Sequence, residues 1–121
     1  MKGYRDLEIF REAKDLAIRV HEMSLNLLKF EQYEEGSQLR RCSKAIVALI
    51  VEGFGRRRYK GDYIRYLIMS HAECDEALVH LDLVFETRSL VDAALYEELK
   101  SEYEMLSKKI NGFIKWIESN D

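Results

Sequence analysis

Apolar residues recur at steps of three and four in four stretches of the chain, the spacing that lays side chains along one face of an α-helix. The first stretch, residues 6–28, carries Phe10, Ala13, Leu16, Ala17, Val20 and Leu27. Asp6 is the expected N-cap, and Glu8 adds favourable charge in the first turn. The second stretch ends at Phe54 and begins somewhere in residues 33–37, either capped by Ser37 or starting earlier and passing through Gly36. Its stripe is Leu39, Cys42, Ile46, Leu49, Ile50 and Gly53. The third, residues 62–87, repeats Tyr63, Leu67, His71, Cys74, Leu78, Leu81 and Phe85, a heptad-like seam that Ile64 and Ile68 widen. The fourth, residues 92–118, opens on a second candidate N-cap, Asp92, and repeats Leu95, Leu99, Tyr103, Leu106, Ile110, Phe113 and Ile117. Four such helices with short connections predict an all-α fold: an antiparallel up-down-up-down four-helix bundle in a single domain, residues 1–121.

One run departs from this one-sided pattern. Residues 45–51 read AIVALIV, apolar on every face for two turns. In isolation the run could be a strand; its charged helical lead-in and the absence of matching strands elsewhere favour a helix. A helix that is apolar all round has to be covered all round, and in a chain of 121 residues a partner subunit is the expected cover. Self-association is therefore expected, with Val47, Ala48, Leu49 and Val51 at the interface.

The composition agrees with helices, since the chain has no Pro and only six Gly. Cys42 and Cys74 are too few for a disulfide scaffold and read as two buried free thiols of a reducing compartment. No charged-then-apolar leader opens the chain, and no apolar run approaches the ~18 residues of a membrane span. The expectation is a soluble, cytoplasmic protein without a membrane partner.

The formal net charge is −3, but it is unevenly spread. Residues 31–65 hold eight basic and five acidic side chains, and residues 92–121 hold seven acidic and four basic. The basic excess peaks in EGFGRRRYKGDY, residues 52–63, where Arg56, Arg57, Arg58 and Lys60 fall within five positions. Gly53 and Gly55 would let the chain leave the second helix at a sharp angle. Cations near a helix C-terminus offset its dipole, which accounts for one or two of these charges but not four. The remainder points to a polyanion, with the arginines on phosphates and Tyr59 or Tyr63 stacked on an exposed base. A solvated turn, or salt bridges between subunits, is the competing reading. Arg65 is placed to join the cluster; Arg40, Arg41 and Lys44 lie two to four turns earlier on the same helix as further candidates. Glu52, a carboxylate at the wrong end of a helix dipole, is expected in a structural ion pair with Arg41 or Arg56.

Enzymatic motifs are missing. A di-iron bundle needs two Glu-x-x-His motifs, and Glu76 to His80 is one residue too long. His71 and Cys74 share a face, but only Cys42 is available as a further thiol, so no metal and no cofactor are expected. There is no phosphate-binding Gly-rich loop and no nucleophile elbow. Phe113 and Trp116 read as the end of the bundle core, with an exposed partner patch as the alternative.

Residues QLRR at 38–41, Ala45-Ile46 and IVEGFGR at 50–56 resemble the second-helix signature of the four-helix bundle proteins associated with intervening sequences in bacterial 23S ribosomal RNA genes, the S23 family. Residues 4–17, Tyr66-Leu67 and Glu76 fit the same pattern, so the resemblance covers nearly the whole chain. The chain departs from it where the family commonly has Asn near Leu49, Pro near Val47, and a Gly-Ser pair at Ala72-Glu73. The resemblance implies a bundle that assembles as a ring, typically a homopentamer, and a link to nucleic acid. An accessory protein of diversity-generating retroelements is similar; it forms a basic pentameric barrel that associates with nucleic acid and a reverse transcriptase. The expected function is thus a non-enzymatic, self-associating bundle that binds nucleic acid, RNA on family grounds, through Arg56, Arg57, Arg58, Lys60, Arg65, Arg40, Arg41 and Lys44. The alternative is a protein-interaction scaffold that ignores nucleic acid.

Overall fold

The computed structural model describes residues 3–120. A 3₁₀ turn, Tyr4–Asp6, leads into α1 (Glu8–Ser24), a short α2 (Lys29–Tyr33), α3 (Glu35–Gly55), α4 (Lys60–Glu86) and α5 (Ala93–Ser119). The described residues form four long helices and one short one, with no strand among them. The AIVALIV run lies inside α3 and is helical throughout.

Helices α1, α3 and α5 bury most of the stripe that their periodicity marks. One continuous core runs from Leu7 to Ile117 and includes Val20, Leu39, Ile46, Ile50, Leu67, Leu81, Leu99, Leu106 and Ile110. Burying one such side chain stabilises the fold by roughly 1.5–3 kcal/mol. Helix α3 packs on both α4 and α1, α4 packs on α5, and α1 meets α5 along a lighter seam. Two cations fasten that seam. Lys109 Nζ bonds Glu8 at 2.5 Å and Glu12 at 2.8 Å, which sets the start of α1 against the second half of α5. Arg19 bonds Glu98 and Glu102, both at 2.7 Å, which sets the end of α1 against the first turns of α5. Lys60 Nζ at the start of α4 donates to the Glu118 carbonyl at the end of α5, 3.1 Å away.

The expected boundaries hold for three helices, with corrections at the first. The N-cap of α1 is Leu7, not Asp6; the Asp6 carboxylate instead accepts the Gly3 N–H at 3.1 Å within the 3₁₀ turn. Asp92 caps α5 as expected, accepting the Leu95 N–H at 3.0 Å. Helix α1 stops at Ser24, and the chain turns through α2 before α3 begins at Glu35 and passes through Gly36. That elbow is pinned from outside. Arg40 donates to Ser24 Oγ at 2.8 Å and to the Gln32 carbonyl at 2.6 Å. The buried Glu31 carboxylate accepts from Ser89 Oγ at 2.7 Å and from the Glu35 N–H at 3.2 Å.

On α4 the buried face is rotated from the expected seam. Ser70, Ala77 and Val84 are fully buried, His71, Leu78 and Phe85 only partly, and Ile68 is exposed. Small residues let α3 come close here. The Ser70 hydroxyl donates to the Ile46 carbonyl across the interface at 3.0 Å.

Candidate nucleic-acid interface

Helix α3 ends without a left-handed residue. Neither Gly53 nor Gly55 takes a positive φ, and the one non-glycine with positive φ among the described residues is Arg88, in the α4–α5 turn. Gly53 serves a different purpose from the one expected. A Cβ there would sit 3.1 Å from Tyr66 Cβ and 3.4 Å from the Tyr63 carbonyl, so glycine allows α3 and α4 to approach where they join. The Arg56 and Arg57 N–H groups bond the Gly53 and Phe54 carbonyls, and the Tyr59 N–H closes the turn on the Arg56 carbonyl at 2.9 Å.

The arginines of this turn are anchored by carbonyls and rings. Arg56 Nη1 donates to the Glu52 carbonyl at 3.1 Å, and its guanidinium lies 4.4 Å over the Tyr66 ring. Arg57 Nη1 donates to the Phe54 carbonyl at 2.9 Å and stacks 3.9 Å over the Phe54 ring. Arg58 faces the Tyr59 ring at 5.9 Å. All three are exposed, and among the described residues none has a carboxylate within ion-pair distance. Arg65 also lies over the Tyr66 ring, at 5.2 Å, and is held loosely by Asp62 at 3.7 Å. Lys60 points along the turn to the α5 carbonyl end, where a cation is favoured by the dipole.

The remaining candidates lie elsewhere. Sixteen residues of helix put Arg40 about 24 Å from Arg56, and its guanidinium is committed to the elbow. Arg41 pairs with Glu73 at 3.6 Å and Glu76 at 3.0 Å on the α3–α4 face. Lys44 lines a different groove, between α1 and α3. The Glu52 ion pair is a correction: Arg41 is taken by two other carboxylates, and Arg56 bonds the Glu52 backbone rather than its side chain. The exposed Glu52 carboxylate has no cation partner among the described residues.

Aromatic placement also differs from expectation. Tyr63 is buried, its hydroxyl pushed up to about 12 by desolvation against the opposing pull of Arg57, so it offers no face to a base. Tyr59 is 63% exposed and Trp116 is 59% exposed. Trp116 therefore lies outside the core, parallel to the half-buried Phe113 ring at 5.9 Å and 9°. The sequence reading missed Tyr66 as the platform shared by Arg56 and Arg65; its spacing of one helical turn from Tyr63 was the available signal.

The AIVALIV run divides as the all-round pattern requires. Ile46 and Ile50 are fully buried, Val47, Leu49 and Val51 are half-buried, and Ala48 is exposed. Val47 and Ala48 line an apolar groove of about 450 Å³ with Ala17, the half-exposed Ile18 and His21 of α1. Cys42 and Cys74 are buried free thiols, each pushed up to about 12 by desolvation. His71 shares a contact with Ser107 Oγ at 3.0 Å, and among the described residues no three His, Cys, Asp or Glu side chains converge as a metal site. Among the described residues no helix is long and apolar enough to cross a membrane.

The geometry defines a small helical-bundle protein with an arginine-rich, aromatic-lined tip. The chain belongs to the 23S rRNA-intervening sequence protein family, which it matches over residues 5–112. Its structure is similar to that of a protein of unknown function from the S23 ribosomal protein family of Bacteroides thetaiotaomicron. The two share 20% identity over 88% of this chain and 95% of that one, with a TM-score of 0.79. At that identity the likeness speaks for the fold. No curated protein matches the chain.

Proposed function

We propose that the protein is a non-enzymatic, cytoplasmic RNA-binding assembly. Its unit is an antiparallel up-down-up-down bundle that associates as a ring, a pentamer on the family resemblance. The observation that carries the nucleic-acid reading is the α3–α4 turn: three consecutive exposed arginines with no carboxylate of the described residues paired to them, in a chain whose formal net charge is −3. Guanidinium groups held by rings and carbonyls keep further N–H donors for phosphate, which they can grip in bidentate fashion. The preference for RNA rests on the family's link to 23S rRNA intervening sequences. Support for self-association comes from the apolar α1–α3 groove at Ile18, Val47 and Ala48. The pairing of Lys109 with Glu8 and of Arg19 with Glu98 supports opposed directions for α1 and α5. In a ring the tip would recur around one rim, so contacts weak singly would add along one RNA.

The test is binding of the purified protein to a structured RNA and to duplex DNA across a salt series, with the mass of the assembly measured in the same buffers. Converting Arg56, Arg57 and Arg58 to Gln is expected to weaken binding. If all three reach phosphates, the log–log salt slope falls by roughly 2–3 per engaged protomer. An unchanged affinity and slope overturns the reading. A ring that ignores nucleic acid at low salt leaves the scaffold function in its place.

A further inference from the structure

We propose that the groove between the α3–α4 turn and the last turns of α5 takes an unpaired nucleobase of single-stranded RNA, stacked on Trp116. This rests on the phosphate-binding reading above and adds the conformation of the ligand and the surface that receives it. The groove is lined by Phe54, Arg57, Tyr63, Phe113 and Trp116 and has a volume of about 560 Å³, within the ~300–1,000 Å³ of small-molecule clefts.

Its base is a chain of four rings. Phe54 meets Tyr63 edge-to-face at 6.4 Å, Tyr63 meets Phe113 edge-to-face at 5.9 Å, and Phe113 lies parallel to Trp116. Phe54 and Tyr63 are each 7% exposed and form the fixed floor. Trp116 ends the chain with most of its indole in solvent. The charge of the groove indicates the occupant. Among the described residues Arg57 is the one charged residue in its lining; Arg56, Arg58 and Lys60 lie on the same turn. Exposed rings flanked by cations, with no carboxylate among the described lining residues, suit a ligand that is flat and apolar on one part and anionic on the next. An unpaired nucleotide has that form, whereas in a duplex the base faces are already covered by their neighbours.

Trp116 is the only tryptophan of the chain, so intrinsic fluorescence reports on this groove alone. The experiment titrates the full chain with a short oligouridylate and with an RNA duplex of equal length. Tryptophan emission is followed, and the anisotropy of labelled oligonucleotides gives affinity independently of it. The oligouridylate is expected to quench emission and the duplex to leave it unchanged. Trp116→Leu is expected to weaken single-strand binding about 5- to 150-fold, the loss of one stacked base, with duplex affinity and both salt slopes retained. Phe113→Leu, which keeps the fluorophore, should weaken the single strand in the same direction.

Saturated binding without quenching, or wild-type single-strand affinity in Trp116→Leu, overturns the stacking site. The phosphate reading then still stands if the triple arginine variant weakens both ligands. A change in assembly mass with unchanged affinity in Trp116→Leu assigns the groove to a second copy and also overturns it. If neither ligand binds at low salt, both readings fall together.

Discussion

Among the described residues Tyr103 is the largest fully buried side chain, 1% exposed, and its hydroxyl has no hydrogen-bond partner there. Desolvation raises its pKa, with the Cys42 and Cys74 thiols nearby adding to the effect, so the group stays neutral at any working pH. A buried, unpaired hydroxyl costs roughly 1–3 kcal/mol relative to its hydrated state. Tyr103→Phe removes that cost and leaves a void of about one oxygen atom. At about 24 cal/mol per Å³, a void of ~10 Å³ takes back only ~0.2 kcal/mol. The expected outcome is a gain of about 1 kcal/mol. With an unfolding entropy of ~2.1 cal/mol/K per residue, that gain raises Tm by roughly 4 °C for a chain of this length. Urea titration followed by circular dichroism at one fixed protein concentration measures it, the fixed concentration being needed because association adds to apparent stability. Tyr103→Leu is the control and should lose at least ~2 kcal/mol through lost packing. A loss of 1 kcal/mol or more in Tyr103→Phe would refute the reasoning, since it would mean the hydroxyl holds a bond worth keeping, to a thiol or a buried water.

Three further predictions follow from individual sites. Burial, with the neighbouring Glu76 adding to it, raises the Glu73 carboxyl above its ordinary 4.5. An acid raised on folding costs nothing below its unfolded pKa and a full penalty above its folded one. Thermal melts should therefore show Glu73→Gln gaining on the wild type as pH rises from about 4 to 7; a gain that shrinks over that range counts against the assignment. The two thiols, pushed up to about 12, should resist iodoacetamide at pH 8 in the native protein and both react in urea; mass spectrometry showing native labelling would contradict their burial. Gly36→Ala would set a Cβ 2.9 Å from the Glu31 backbone carbonyl. The expected overpacking loss of ~1–3 kcal/mol should outweigh the ~1 kcal/mol helix-propensity gain, and urea titration showing a net stabilisation would refute that.

What could be read from the sequence is what local periodicity determines. The four long helices follow from apolar spacing, and the Asp92 cap follows from one side chain and a neighbouring N–H. The elbow at α2 was not legible, because its determinants come from afar: Ser89 reaches Glu31 across 58 positions, and Arg40 ties Ser24 to Gln32. The rotated face of α4 was hidden for a related reason. Ser70 and Ala77 are buried because they are small where α3 comes close, and a pattern of large apolar residues does not register smallness as a core signal. Gly53 illustrates the same limit, since its role is set by Tyr66 on the next helix rather than by its own φ. Trp116 read as core because helical aromatics tend to pack inward, but Phe113 and Ile117 already fill that end of the bundle, and the indole is left outside.

The arginine turn shows why dipole compensation and polyanion binding need not be rivals. A guanidinium has five N–H donors. Arg56 spends one on the Glu52 carbonyl and Arg57 one on the Phe54 carbonyl, which completes the end of α3 and leaves further donors on both. Three cations elsewhere gather several carboxylates each: Arg19 meets three, Lys109 two and Arg41 two. With 22 acidic residues in the chain, carboxylates are not scarce. Among the described residues none pairs with Arg56, Arg57 or Arg58, and dipole compensation accounts for only one or two of these charges. The ring contacts have the same double character, because Tyr66 and Phe54 hold two guanidinium planes in fixed positions at the tip. Holding them in the free protein would lower the conformational entropy lost on binding a phosphate. The contacts that finish the helix are thus the ones that would prepare the surface for an anion.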